Sequence, residues 1–320
     1  DYKFTTQILA QSAPIDGVID GNVWLVGGGD PLVMTSDYAQ RYLDDLAYTD
    51  LEILADQIIN LGVNTITGAV VGDESYFDEI RWVESWPERF RAGAQNQAGP
   101  LSALSVNDGF MNWDAENTAN SLNTPAVEPA QFAAALFDDL LEERSVRIFQ
   151  SAYAETKPVD AVIQLGVIES PTISEIVKQM LQTSDNTTAE ILVKAISADS
   201  GVAGSTSSGN QIIQQVVETL TGMTDSTVVA DGSGLDPSNR TTCSVLVDLL
   251  EMESFSADLY DGLAVAGESG TLRNRLTGSS AEGRLLAKTG TLNDSKSLAG
   301  VVHTLEGRTL IFALISNADP

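Results

Sequence analysis

Near residue 170 the rhythm of apolar residues changes, and this limits the folds open to the chain more than any other feature. Upstream, strand-like and helix-like segments alternate. FTTQILA (4–10) has the period of two expected of a half-buried strand. GNVWLVGGGDP (21–31) reads as a second strand closing on a glycine turn. LEILADQIINLG (51–62) carries apolar residues at helical spacing and stops on glycine, and TITGAVVGDESYF (65–77) returns as a strand. AQFAAALFDDLLEER (130–144) is an amphipathic helix, followed by a strand at VRIFQSAY (146–153). Downstream, helices come first. SPTISEIVKQMLQTSDNTTAEILVKAIS (170–197) predicts two helices interrupted at TSDN, and GNQIIQQVVETLTGM (209–223) and CSVLVDLLEM (243–252) predict two more. Strand-like runs then occupy 285–302 and 308–316. Helices followed by strands on short turns fit an antiparallel sheet with helices packed on it. The expectation is an α+β protein, with an α/β part over 1–169 and a second part over 170–320.

Composition removes several classes of function. Of the 320 residues 43% are hydrophobic, enough for a substantial core, but the net charge is -28. Such a surface repels phosphate backbones and anionic lipid, so neither nucleic acid nor a charged membrane face is an expected partner. The single cysteine, Cys243, forms no internal disulfide and sits on the apolar stripe of its helix, where a small buried hydrophobe is expected. With one cysteine and one histidine, His303, neither a zinc site nor a Ser-His-Asp triad is expected. His303 reads as structural. No metal or organic cofactor is implied. The GGG of GGGDP is not followed by Lys-Ser/Thr, so it reads as a turn rather than a phosphate loop. No run reaches the roughly 18 apolar residues of a membrane span. The chain opens and closes within strand-like segments, as a piece of a longer protein would. Nothing in the sequence sets an oligomeric state.

The stretch LLAKTGTLNDSKSLAGVV (285–302) breaks the strand pattern with an ammonium, Lys288, followed by Thr289, Gly290 and Thr291. A purely structural strand would alternate apolar residues there. A second polar constellation, Ser184-Asp185-Asn186, falls at the break between two helices, where Ser or Asn would also serve as a helix cap. Each motif alone is weak. In this order, about a hundred residues apart, they resemble the second and third motifs of the penicillin-recognising active-site-serine enzymes. The likeness extends to VVADGSGLDPSNRTT, LAVAGESGTLRNRL, LVGGGDP, GAVVGDESYFD and PLSALSVNDG. Together these resemble the S13 family of D-alanyl-D-alanine carboxypeptidases, the class C low-molecular-mass penicillin-binding proteins, nearest to actinobacterial members.

This resemblance implies an incomplete penicillin-binding-protein/β-lactamase-like transpeptidase domain over 170–320 and an accessory domain over 1–169. It implies a serine D-Ala-D-Ala carboxypeptidase or endopeptidase working through an acyl-enzyme. The partners would be peptidoglycan stem peptides and β-lactams, and the location extracytoplasmic. The family's nucleophile is the serine of a Ser-x-x-Lys motif. No serine here has lysine three residues on, so a trimmed amino terminus is expected and the 320 residues alone are expected to be inactive. An extra domain that many members insert in the accessory part is expected to be missing at NWDAENTANSLNT (112–124). In the implied site Ser184 relays a proton, and Asn186 holds the substrate amide and the base lysine. Lys288 supplies positive charge. Thr289 and Thr291 offer hydroxyls to the substrate carboxylate, the Thr291 N–H faces the oxyanion, and Gly290 lets the substrate backbone come close. Asp185 faces away. A serine β-lactamase, which shares both motifs, and an inactive wall-binding homologue are the alternatives.

Overall fold

The computed structural model describes residues 2–41, 46–113, 123–199, 201, 203–252 and 256–317. Residues 114–122, at the place expected to lack an inserted domain, lie outside this set. The chain divides into two compact units. The first comprises residues 1–172 with 190–205, and the second 173–189 with 206–320. The second unit starts at Ile173, and residues 190–205 cluster with the first.

The first unit is built on a mixed five-stranded sheet. Its strands are β1 (Thr5–Ala10), β2 (Val23–Gly27), β3 (Val70–Asp73), β4 (Tyr153–Ala154) and β5 (Ile163–Glu169), in the order β4-β3-β2-β1-β5. β1 runs antiparallel to β2 and β5, whereas β3 runs parallel to β2 and β4. The parallel neighbours are reached through helices, as parallel connections require. Helix α1 (Leu51–Asn60) starts where the Asp50 side chain accepts the Glu52 N–H, and it buries Leu51, Leu54, Ala55 and Ile58 along one stripe. Helix α2 (Pro129–Glu143) opens on proline and buries Ala133, Ala134, Phe137 and Leu141. These faces close on Ile8, Leu25, Ile66 and Val70 of the sheets to form the main core.

Two runs expected to be continuous strands are each broken. Residues 65–77 split into Thr65–Ile66 and β3, and 146–153 into Arg147–Ile148 and β4. Thr65–Ile66 pairs with both Arg147–Ile148 and Val18–Ile19 in a small parallel sheet, and the second halves join the large one. The chain steps between the sheets where the Gly68 N–H reaches the Gly21 carbonyl at 2.9 Å. GGGDP is a turn, as expected. Gly29 has φ +84°, and the Asp30 carboxylate accepts the Leu32 N–H at 2.9 Å and the Thr49 hydroxyl at 2.6 Å. Lys194, fully buried in this unit, donates to the Asp78 carboxylate and to the Ile80 carbonyl at 2.6 Å. Burial lowers its pKa.

The second unit carries a four-stranded antiparallel sheet. Its strands are β6 (Ala264–Val265), β7 (Leu285–Thr291), β8 (Ser295–His303) and β9 (Thr309–Asn317), in sequence order. Its helices are α3 (Ile173–Thr183), the first residues of α4 (Asn186–Ala198), α5 (Thr206–Thr221), α6 (Cys243–Glu251) and α7 (Ser256–Gly262). The α+β class expected from the sequence is the observed one. The helix break at TSDN lies where the sequence puts it, and α6 is capped by Thr242, which accepts the Val245 N–H. Cys243 is a correction. It is exposed, because it is the first residue of α6 and this helix is buried instead through Val245 and Leu250. His303, at the exposed end of β8, places Nδ1 3.0 Å from the Thr309 hydroxyl opposite it. No helix of the described residues is long and apolar enough to cross a membrane.

Burial pushes the Asp30 carboxyl from 3.8 up to about 6. A carboxyl raised by folding stabilises the protein fully below its unfolded value, and that contribution is lost as pH rises through the folded one. Asp30→Asn should therefore gain on the native protein by about 2–3 kcal/mol between about pH 4 and pH 7. Urea midpoints of both proteins at the two pH values measure this. A difference that does not change with pH would contradict it.

Candidate active site

The site grows from the end of α3. The Thr183 hydroxyl turns back onto the Gln179 carbonyl at 2.8 Å, closing the last turn. Ser184 then takes φ +60°, and the Asp185 N–H reaches back to the Met180 carbonyl at 3.1 Å. This six-to-one bond around a left-handed residue is a helix stop that normally uses glycine. A serine there carries backbone strain, a pattern concentrated at functional positions. The turn leaves the Ser184 hydroxyl within reach of Lys288 on β7. Asp185 starts the next helix, accepting the Thr188 N–H at 3.1 Å and the Thr188 hydroxyl at 2.9 Å. Burial raises its carboxyl above the usual range. The cap that sequence reasoning put on Ser184 or Asn186 thus falls on Asp185. Asn186 is the first residue of α4.

Opposite this turn runs β7. The Lys288 ammonium donates to the Ser184 hydroxyl at 2.6 Å and to the Thr289 carbonyl at 2.9 Å. The two motifs, 104 residues apart, meet here. Lys288 is half-buried, and loss of hydration lowers its pKa below that of a free lysine. A lysine poised in this way exchanges protons with a neighbouring hydroxyl more readily than a solvated one.

Among the described residues, no strand covers the edge of β7 beside Lys288. β6 is two residues long and pairs only with Leu286 and Ala287. The Leu292 N–H is spent across the hairpin on the Ser295 carbonyl at 2.8 Å. Peptide groups alternate in direction along a strand, so those of Thr289 and Thr291 point the other way, toward the edge that no described strand covers. The Thr291 N–H therefore stands where an incoming strand or oxyanion could accept it. Gly290 lies on the Lys288 face, opposite Ser297. A Cβ there would press only on the Ser297 hydroxyl, which can rotate aside. At Gly300 it would meet the Leu286 carbonyl and, at 2.7 Å, the Ala287 Cα. The fold thus requires glycine at 300 far more than at 290.

Of the two threonines expected to offer hydroxyls, one has its hydroxyl engaged within the fold. Thr289 alternates to the face away from Lys288, and its hydroxyl donates to the Thr271 hydroxyl at 2.9 Å, so that proton is not offered to a ligand. Thr291 is exposed at the strand end. Thr271 is the residue that sequence reasoning missed: GESGTL reads as a shaped turn, and only the hydroxyl following its second glycine signals more. Elsewhere among the described residues, Asp138, Asp139 and Glu142 on α2 bring carboxylate oxygens within 4.8 Å of one another. Burial and its two neighbours raise Asp138 to about 6.

The left-handed backbone at Ser184 separates two substitutions that both remove its hydroxyl. Ser184→Gly should be more stable than Ser184→Ala by about 1 kcal/mol, because only alanine keeps the Cβ that disfavours positive φ. Thermal or urea denaturation of the pair measures the difference. Equal stability would mean that residue 184 is not left-handed in solution.

The family pattern described as "D-Ala-D-Ala carboxypeptidase 3 (S13) family" matches residues 1–127 and 116–320. The D-alanyl-D-alanine carboxypeptidase of Actinomadura sp. (strain R39) is 29% identical over 387 aligned residues, covering 99% of this chain and 69% of that protein. Carboxypeptidase Rv3627c of Mycobacterium tuberculosis is 29% identical, covering 93% of this chain and 63% of its own length. The crystal structure of penicillin binding protein 4 (dacB) from Haemophilus influenzae superposes with a TM-score of 0.80 at 19% identity, over 100% of this chain and 81% of that one. On its matched sequence, the chain belongs to the D-Ala-D-Ala carboxypeptidase 3 (S13) family.

Proposed function

We propose that the protein containing this chain is a serine-type D-Ala-D-Ala carboxypeptidase or endopeptidase that cleaves peptidoglycan stem peptides through an acyl-enzyme and is acylated by β-lactams. The observation that carries this reading is the Lys288 ammonium, 2.6 Å from the Ser184 hydroxyl beside an uncovered strand edge. A peptide ending in a D-amino acid would pair antiparallel along β7, with its terminal carboxylate drawn to the charge of Lys288. Gly290 would leave room for its backbone, since the fold itself makes little demand for glycine there. The Thr291 N–H would be one oxyanion donor, worth about 10²–10³ in rate by analogy with such donors elsewhere. Ser184 would pass a proton to the departing amine, and Asn186 would hold the substrate amide. Thr289 would act from behind the strand rather than as a carboxylate ligand.

The nucleophile and general base of this chemistry, a Ser-x-x-Lys, are not among the 320 residues. The reading therefore requires them outside this stretch, in keeping with relatives longer than the chain. Residues 1–169 would form the accessory part and 170–320 the carboxyl-terminal part of the catalytic domain. Action on peptidoglycan would place the protein outside the cytoplasm.

The test uses the protein with its upstream residues. D-alanine should be released from a peptide ending in D-Ala-D-Ala, and labelled penicillin should form a stable adduct. Lys288→Ala should lower the release rate on the order of a hundredfold or more, while the 320-residue chain alone should form no adduct. Rapid turnover of penicillin would instead indicate a β-lactamase. Neither release nor adduct would leave the inactive wall-binding homologue.

A further inference from the structure

The two halves of the candidate site approach each other from different elements. Ser184 ends α3 and Lys288 lies within β7, and the proton contact between them works only at hydrogen-bond distance. The 3-10 turn Gly270–Leu272 touches both elements. On one side Gly270 takes φ +53°, and a Cβ there would lie 2.5 Å from the Gln182 carbonyl oxygen, two residues before Ser184. On the other side the Thr271 hydroxyl accepts that of Thr289, the residue after Lys288, at 2.9 Å. Leu272, buried, packs with Ala264 of β6 and Ala287 of β7, the residue before Lys288. The turn's own entry is tied down as well, the Ser269 hydroxyl accepting the Val265 N–H at 3.0 Å. Three successive residues thus reference the helix end and both sides of Lys288, and the two strand residues they meet, Ala287 and Thr289, lie on the sheet face opposite the lysine.

We propose that Gly270, Thr271 and Leu272 form a spacer that sets the Ser184–Lys288 distance, with Thr271 as a positioning residue acting through Thr289. This rests on the function proposed above for what the contact does, but not for the spacing itself. Gly270 brings the turn against the helix end at a distance that no side chain allows. Leu272 fixes its depth against the sheet. The Thr271–Thr289 bond fixes where along and across β7 the lysine emerges. Without that bond the Thr289 hydroxyl loses its partner in the turn, and the strand is free to shift by a fraction of an ångström. Water then enters beside the ammonium, and the Ser184 contact lengthens.

The test separates positioning from stability by following Lys288 itself. In the 320-residue chain, lysine labelled with carbon-13 at Cε is titrated by NMR, and the Lys288 signal is identified by its loss in Lys288→Arg. This needs neither nucleophile nor turnover. In the native chain Lys288 should titrate below an exposed lysine. In Thr271→Val its midpoint should move back toward the exposed value, and in Thr271→Ser, which restores the hydroxyl, it should return. Gly270→Ala should move it as Thr271→Val does. In the longer protein, Thr271→Val should reduce kcat on the order of ten- to a hundredfold, with KM changed less, as expected for a small misplacement of a reacting group. A Lys288 midpoint that stays at its native value in Thr271→Val, whatever happens to the melting temperature, overturns the proposal. Thr271→Ala takes the place of the valine variant if that one is unfolded. If the midpoint shifts but no D-alanine is released by the native longer protein, the spacer stands and the proposed function falls.

Discussion

An ammonium in a partly dehydrated groove is held 2.6 Å from a hydroxyl, and the hydroxyl sits on a residue whose backbone prefers to be glycine. Much of the second unit serves this contact. Helix α3 stops so that Ser184 can project, and Asp185 takes over the cap so that Ser184 need not. β6 ends early, leaving the peptide groups beside Lys288 without a partner strand. Each feature gives up a little stability that a purely structural design would keep. A left-handed serine costs about 1–2 kcal/mol relative to glycine, and a desolvated lysine forgoes hydration. Such departures from local preference are expected where geometry serves chemistry.

The parts of the fold that were legible are those set by local pattern. The helices at 51–60 and 129–143 announce themselves by apolar spacing, a cap at Asp50 and a proline at 129. The interruption at Ser184-Asp185-Asn186 shows as polar residues between two apolar periodicities. The broken strands at 65–73 and 147–154 were not legible, because the break reflects a choice between two sheets, settled by neighbours far away in sequence. Cys243 misleads for a related reason: helical periodicity says which residues share a face, not how far along the helix the neighbouring surface extends.

In the candidate site the meeting of two motifs was legible, but the arrangement around them was not. Lys288 and Ser184 come together as their motifs suggest. Thr289 does not join them, and plain strand alternation from Lys288 would have put it on the other face. Its partner Thr271 was out of reach of that argument, since the bond joins a turn to a strand across 18 residues. Gly290 illustrates a further limit. Glycines required by packing, such as Gly300, and glycines with slack around them look identical in sequence, and only the surroundings tell them apart.

The short β6 has a consequence beyond ligand access. A sheet edge with unpaired amides attracts any extended chain, including a strand of another copy, and proteins commonly guard such edges against aggregation with lysine or by keeping them brief. Here the stretch that no described strand covers runs from Lys288 to Thr291, carries a cation at one end, and belongs to 320 residues of net charge -28, which repel their own copies. The features that would let the groove admit one specific peptide are also those that keep it from adhering to everything else.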